Sequence, residues 1–563
     1  VDYTYPERFK TLTDFMDLRF HQLLNIVTTV GGVAVDGLAL ANASGSLQLL
    51  YKEDASSIDV TIPAGLSGVP VVAQNCVAAH SEQSLGTYDA GTHTISLGST
   101  SDWAVAVGQF GAPAEDDAPA ETDIYMSLTG SDTTGTGTVS NPYRGLAKVG
   151  AVSQALAATG TPVTVYIRGG YYDTHELDVH RGISNELVFS GTEAAPITVR
   201  SYPGEWAVFD GINHPSWPRV FGDTSDAYEP YLVQWTGSWV NWEYLEFRNA
   251  YGGGARMYGL HNKYRYLVFQ NCHANGLRFE GSYNELAYSL FQDCYSASND
   301  GNSANGMMIR FGDTFTDRFP SETSSSFNHV HHNVARHNSD DGFGANTSDE
   351  GVWEYNVAFE NGIGESGNGE GFKMGFGNTR LTNNIFRYNL SWDNYIGFNT
   401  NSSTGVVVHN NTSYDNTAGG FALHQVNNPD TADNEAYNNL SILPSGGEHV
   451  YRLLGVTTHE NNAGWIGAWR DRPPNLDLGD PQVVSFNWTN GDFLRLGPTS
   501  PYLSAGKVIT GGSTTLGAIP DGEDFAGGWD WRALVNAYPS HGLGSRTTMS
   551  PIAQGTRTKY PGT

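Results

Sequence analysis

Three polar stretches hold side chains that could do chemistry together: "SNDGNSANGMMIR" with Asp300, Asn305 and Arg310, "NSDDGFGANTSDE" with Asp340 and Asp341, and "GNGEGFKMG" with Glu370 and Lys373. Glycines crowd both sides of Lys373, so backbone of little bulk offers it. A lysine so placed is either a solvated turn residue or a base held for a substrate. The Asp340–Asp341 pair precedes a glycine and is open to three readings. It can be a turn that caps its own backbone, part of a metal-binding cluster, or the acid and base of an inverting glycoside hydrolase. A lysine base must be neutral when it acts. Free lysine titrates near about 10.4, so burial or a neighbouring cation would have to lower that value.

A repeat must position these residues. Asn249, Asn271 and Asp293 follow "YLEFR", "YLVFQ" and "YSLFQ" at intervals of 22 and 22. Asn333 comes after a gap of 40, then Asn356, Asn384, Asn410 and Asn434 at 23, 28, 26 and 24. The long gap holds the polar segment 311–326, read as a loop thrown out between two coils. Short alternating runs at this period, separated by turns, predict an all-β fold, a right-handed parallel β-helix. Leucine-rich repeats share the length but not the leucine spacing. Stacked asparagines would satisfy backbone groups inside the bends. Coils about 4.8 Å apart would bring Asp341 and Lys373 together across 32 residues of sequence. Cys272 and Cys294, 22 apart, become stacked core residues.

The 563 residues divide into three regions. Residues 1–125 read as a small accessory β-rich domain, opened by a helix over 9–32 and closed by an acidic, proline-bearing linker at 111–123. Residues 126–510 hold the β-helix, with one helix near 144–157 and a strand at 163–168. The repeat fades from about 440, and 511–563 is a loop-rich extension. The formal net charge of −29, from 59 acidic and 30 basic residues, argues against a nucleic-acid partner. No stretch is long and apolar enough to predict a membrane span.

"GNSANGMMIRFGD", "VARHNSDDGFGANT" and "EYNVAFENGIGESGNGEGFKMG", with the entrance "APITVRSYPGEWAVFDG", resemble family 9 polysaccharide lyases, the pectate-lyase-like parallel β-helices, over roughly 126–510. The resemblance implies cleavage of an acidic polysaccharide by β-elimination, with a lysine base and a calcium ion bound by aspartates. The family lysine falls on Lys373, and its paired aspartates fall on Asp340 and Asp341. Two further family aspartates fall on Asn305 and Gly344, so two of four carboxylates are lost. Asp300, Asn346, Glu350 or waters would have to complete a calcium shell. Without the metal, an arginine would neutralise the substrate carboxylate, Arg310 before Arg278.

The expected function is therefore a lyase acting on a uronic-acid polysaccharide outside the cell, free or borne on a phage particle. The expected state is a monomer, or an oligomer formed through the N-terminal domain. Two rivals remain at this stage: an inverting hydrolase using Asp340 and Asp341, and a β-helix that only binds glycans. His424 and the aromatics Trp353, Trp392 and Tyr395 are further candidates for a sugar cleft.

Overall fold

The computed structural model describes residues 25–30, 33–41, 46–75, 82–108, 122–173, 187–213, 231–296, 304–310, 319, 322, 324–362, 367–375, 383–400, 403–423, 433–443, 451–452, 456–466, 476–509 and 512–538. The chain forms two compact units, 1–120 and 121–563. In the first, six antiparallel strands run in the order Asn25–Val30, Val33–Ala41, Gln48–Ile62, Gly91–Val107, Val69–Asn75, Glu82–Tyr88. Alternate residues such as Ile58, Val60, Val71 and Val105 are fully buried, the period-two pattern of a sheet with one apolar face. Residues 25–30 of the expected 9–32 helix are strand, paired with Val33–Ala41 across Gly31 and Gly32. Their β-branched run, "NIVTTV", favours the pleated conformation. The rest of that expected helix lies outside the described residues.

In the second unit each coil contributes three short strands. Tyr231–Thr236, Val240–Glu243 and Leu245–Ala250 make one coil, and Gly253–Tyr258, Lys263–Arg265 and Val268–Cys272 the next. Each pairs in parallel with its equivalent 22 residues on, as Asn241 does with Lys263 and Glu246 with Val268. Stacking these coils yields three parallel sheets of ten, twelve and eleven strands among the described residues. This is the expected parallel β-helix. The helix Leu146–Ala157 and the strand Val163–Ile167 lie close to their expected places. The coil repeat runs further than expected, to Ala463–Trp465.

Inward residues stack on their own kind from coil to coil. Phe343, Phe372, Phe398, Phe421 and Tyr451 form one column with ring centroids 4.9 to 5.1 Å apart. Cys272 and Cys294 are buried and free, stacked core residues as expected.

Each corner carries its own left-handed row, one residue per coil. The rows run Trp239, His261, Tyr283, Phe327, then Tyr244, Tyr266, Tyr288, His332, Tyr355, Tyr388, and Asn249, Asn271, Asp293, His337, Glu360, all near φ +55°. Inside the bends run separate amide ladders. Along one, the Oδ1 of Asn356, Asn389, Asn411 and Asn439 accepts the backbone N–H of Asn333, Asn356, Asn389 and Asn411 in turn, at 2.9 to 3.1 Å. The single asparagine series expected from sequence is therefore spread over different rows. Asn333 and Asn356 share that ladder, Asn384 and Asn434 serve another corner, and Asn249 and Asn271 are left-handed corner residues. The period is right because every corner repeats with it.

The eleven-stranded sheet is buried on both faces, its outer side carrying Arg248, Gln270, Gln292 and Arg336 on the earlier coils and apolar residues from Val357 on. Its outer Val357, Phe359, Leu390 and Trp392 pack under Phe493, Trp531 and Leu534 of the chain's last described stretch. Asn410 Nδ2 donates to the carbonyls of Ser513 and Thr515, and Arg336 to that of Tyr538. The outer face of the ten-stranded sheet carries polar side chains instead.

Two stability effects follow. Asn389→Ala leaves the buried Asn356 N–H without its acceptor, and a loss of about 1–3 kcal/mol is expected by urea unfolding. His337 lies between Asp293 at 3.6 Å and Glu360 at 2.5 Å. Burial alone would lower its pKa, but the two carboxylates outweigh burial and raise it to about 9. Its contribution is complete below the ordinary histidine value of about 6.5 and is lost as pH rises through about 9. The urea midpoint should fall across that window, and fall less in His337→Gln.

Candidate active site

From Gly254 to Gly420 the successive strands of the ten-stranded sheet open on a glycine. A Cβ on Gly276 would come within 2.7 Å of the Gly306 carbonyl oxygen, one on Gly306 within 2.8 Å of that of Gly342, and one on Gly342 within 2.8 Å of that of Gly371. No side chain fits there. The residue before each glycine forms a ladder of its own. Asn305 N–H donates to Asn275 Oδ1 at 3.0 Å, Asp341 N–H to Asn305 Oδ1 at 3.2 Å, and Glu370 N–H to Asp341 Oδ1 at 3.0 Å. The same rungs that stack the coils thus carry Asn305, Asp341 and Glu370 in line.

Lys373 ends the strand Glu370–Lys373. Phe372 points into the aromatic column and Lys373 points the other way, beside Gly344 on the neighbouring strand. Its Nζ donates to Asp341 Oδ2 at 3.0 Å and to Glu370 Oε2 at 3.3 Å. Residues three apart on a straight strand face opposite sides. Here the Nζ of Lys373 nonetheless reaches Glu370 as well as Asp341. Asn399 Nδ2 donates to Glu370 Oε1 at 2.8 Å from the next coil, and Asp340 Oδ1 accepts from Asn368 N–H at 2.6 Å.

Lys373 is 4% exposed and Asp341 1%, so the cluster's charges are nearly stripped of water. Burial works against the ammonium, but the charges of Asp341, Glu370 and Asp340 outweigh it and hold the amine above its ordinary range. Burial, then the charge of Glu370, pushes the Asp341 carboxyl well up, with Lys373 opposing. Asp341 is accordingly a carboxylate ready to take a proton, 3.0 Å from the nitrogen that holds one.

The structure brings Lys373, Asp341, Asp340 and Asn305 together. Arg310 follows the strand Met307–Ile309, two coils from Lys373 along the sheet. Asp300 and His424 lie outside the described residues. Trp353 and Trp392 are fully buried, so they are core residues and no sugar platform, whereas Tyr395 is exposed. Glu370 stood among the polar residues of the sequence without a role; its contact with Lys373 runs against strand alternation, so spacing does not reveal it.

Calcium takes six to eight oxygens. Asn305 and Gly344 bring no carboxylate, although a Cβ at Gly344 would meet nothing closer than 3.4 Å. Asn305 Oδ1, Asp340 Oδ1 and Asp341 Oδ1 each accept a backbone N–H. Asp341 Oδ2 faces an ammonium. No group of three or more His, Cys, Asp or Glu side chains suited to a metal ion occurs among the described residues. This donor set does not fit the calcium that the resemblance implies, because the lysine already fills the cation's place.

Residues 124–439 match the family of the Pel9A-like, right-handed β-helix region. The chain belongs to that family. Pectate lyase PEL9 of Emericella nidulans is 37% identical over 97 residues, which is 17% of this chain and 20% of that protein. The chain thus matches about a fifth of that relative's length. The crystal structure of pectate lyase Pel9A superposes with a TM-score of 0.55 at 22% identity, covering 72% of this chain and 97% of the other. That likeness is one of fold.

Replacing Lys373 by methionine should leave Asp341 and Glu370 as buried charges with no cation. A loss of about 3–5 kcal/mol is expected near neutral pH. The loss should shrink in acid, where the carboxylates can protonate. Denaturant unfolding at two pH values measures it; a loss equal at both would mean that unpaired charge is not its cause.

Proposed function

We propose that this chain cleaves a uronic-acid-containing polysaccharide by β-elimination, with Lys373 taking the proton next to the uronate carboxylate. One observation carries this reading. A buried lysine stands on the outward row of the ten-stranded sheet, held by carboxylates on its own coil and the one before. A lysine needed only for solubility would not be placed there.

The amine must lose its own proton first. Asp341 Oδ2 is the acceptor in contact with it, and Glu370 keeps a negative charge beside the pair. The neutral amine then removes the C5 proton. The electron pair left behind delocalises onto the uronate carboxylate and then forms the C4–C5 double bond as the C4–O bond breaks. Water protonates the departing oxygen. Cationic side chains that face the substrate carboxylates lower the charge cost of this step; Arg310, expected from sequence in that role, stands two coils from Lys373, opposite a neighbouring uronate and not the one that loses its proton. A polymer substrate places the protein outside the cell under this proposal.

The hydrolase alternative is less well supported, because the oxygens of Asp340 and Asp341 are engaged by backbone N–H groups and by Lys373.

A panel of uronic-acid polysaccharides, followed by ultraviolet absorbance of unsaturated ends, tests the proposal. Lys373→Ala should lower the rate by about 10²–10⁴-fold, the usual contribution of a general base. Asp341→Asn should keep the ladder acceptor and the fold while losing most of the rate. Because the amine is held above its ordinary range, the rate should climb with pH through the alkaline region. Activity is expected to persist in chelator. New reducing ends without absorbance would transfer the chemistry to the aspartates and sink the lyase reading.

A further inference from the structure

The row that carries Lys373 continues away from it along the sheet. Lys373 pairs with Gly344, Gly344 with Met308, Met308 with Arg278, and Arg278 with Arg256. Gln234 is next, paired with Arg256. With coils about 4.8 Å apart, Arg278 lies three coils, about 14 Å, from Lys373. Arg310 sits one coil nearer, two residues beyond this row.

Their charges are poorly balanced. Arg256 Nη2 and Arg278 Nη2 share one oxygen, Oε1 of the fully buried Glu280, at 2.9 and 2.6 Å. The second oxygen of Glu280, the Nε of both arginines and the Nε2 of Gln234 have no hydrogen-bond partner among the described residues. Arg310 is exposed and makes no ion pair with a described residue. Partial burial and the charge of Arg278 hold its guanidinium below the usual range, with Glu280 opposing and Arg256 adding to the fall. Among the described residues, three guanidiniums therefore face one carboxylate, on a chain whose net charge is −29. Such a cluster strains the fold unless an anion completes it, and guanidinium forks match carboxylates in pairs.

We propose that Arg256, Arg278 and Arg310 form a carboxylate-binding subsite that grips uronate residues of the same chain, two to four coils from the sugar that Lys373 deprotonates. This rests on the lyase reading for its substrate, though binding tests it separately. A glycan laid along the helix axis offers carboxylates repeatedly, and the arginines on successive coils meet several of them. The subsite favours long acidic chains over short or neutral ones.

The test uses the full chain with long and trimeric oligogalacturonates and a neutral oligosaccharide of matched length. Arg310→Gln, an exposed change, and Arg278→Lys, which keeps charge but loses the fork, should each weaken binding of the long oligomer by about tenfold in calorimetry. Binding of the trimer in the Lys373 region should not change. If unsaturated products form, KM for the long oligomer should rise while kcat holds. If none form, the lyase reading falls, yet arginine-dependent binding of the long oligomer still supports the subsite. Equal losses for trimer and long oligomer, tight binding of the neutral chain, binding that ignores both variants, or no binding of any oligouronate would each overturn it.

Discussion

Successive coils from Gly276 to Gly371 must pass one another within less than a side chain's width where they enter the ten-stranded sheet. At Gly276, Gly306, Gly342 and Gly371 a single Cβ would run into the carbonyl of the following glycine. That steric limit fixes which residue of each coil lies over which, and the residue just before the glycine inherits the register. Its side-chain oxygen then takes the N–H of the coil above, from Asn275 to Asn305 to Asp341. Asp341 and Glu370 are thus adjacent because the backbone leaves no other stacking.

The site is a modified piece of that scaffold. Elsewhere, asparagines run through the bends, each accepting with its oxygen and donating with its nitrogen, as Asn389 does to the Trp353 carbonyl at 2.9 Å. In the site ladder the amide becomes a carboxylate at Asp341 and again at Glu370. At Asp341 the acceptor survives, so the rung still forms; Glu370 instead takes the Asn399 amide and the lysine. The donors are lost and two buried negative charges replace them. An ammonium restores both donor and charge, and Lys373 serves this purpose because its Nζ reaches both carboxylates. Buried charges add little net stability, so the exchange of amide for charge is better understood as chemistry than as architecture.

This division explains what could be read in the sequence. The period, the β-helix and the closeness of Asp341 to Lys373 follow from spacing alone, since identical coils must stack. Which asparagine belongs to which corner does not follow, because all three corners repeat with one period and Asn suits both an inside ladder and a left-handed φ. Glu370 had the right residue type, but alternation places it opposite Lys373. The contact forms against that alternation. The strand at 25–30 was hidden for a different reason: apolar residues at helical spacing run through 9–24, and β-branched preference takes over only near Asn25.

The three sheets also divide the work by what covers them. The later coils of the eleven-stranded sheet are apolar outside and are closed by Phe493, Trp531 and Leu534. The twelve-stranded sheet carries exposed or half-buried ion pairs such as Arg265–Glu285 and Arg387–Glu354, in which acid and base alternate from coil to coil. The ten-stranded sheet has neither arrangement. Its outward row passes from Gln234 through two arginines, a methionine and a glycine to a lysine, with cations gathered at one end and carboxylates beside the lysine. A row laid down only for stability would alternate its charges as the twelve-stranded sheet does. Separating them leaves a positive stretch leading to the Lys373 cluster, on a chain whose surplus of acid would otherwise turn a polyanion away.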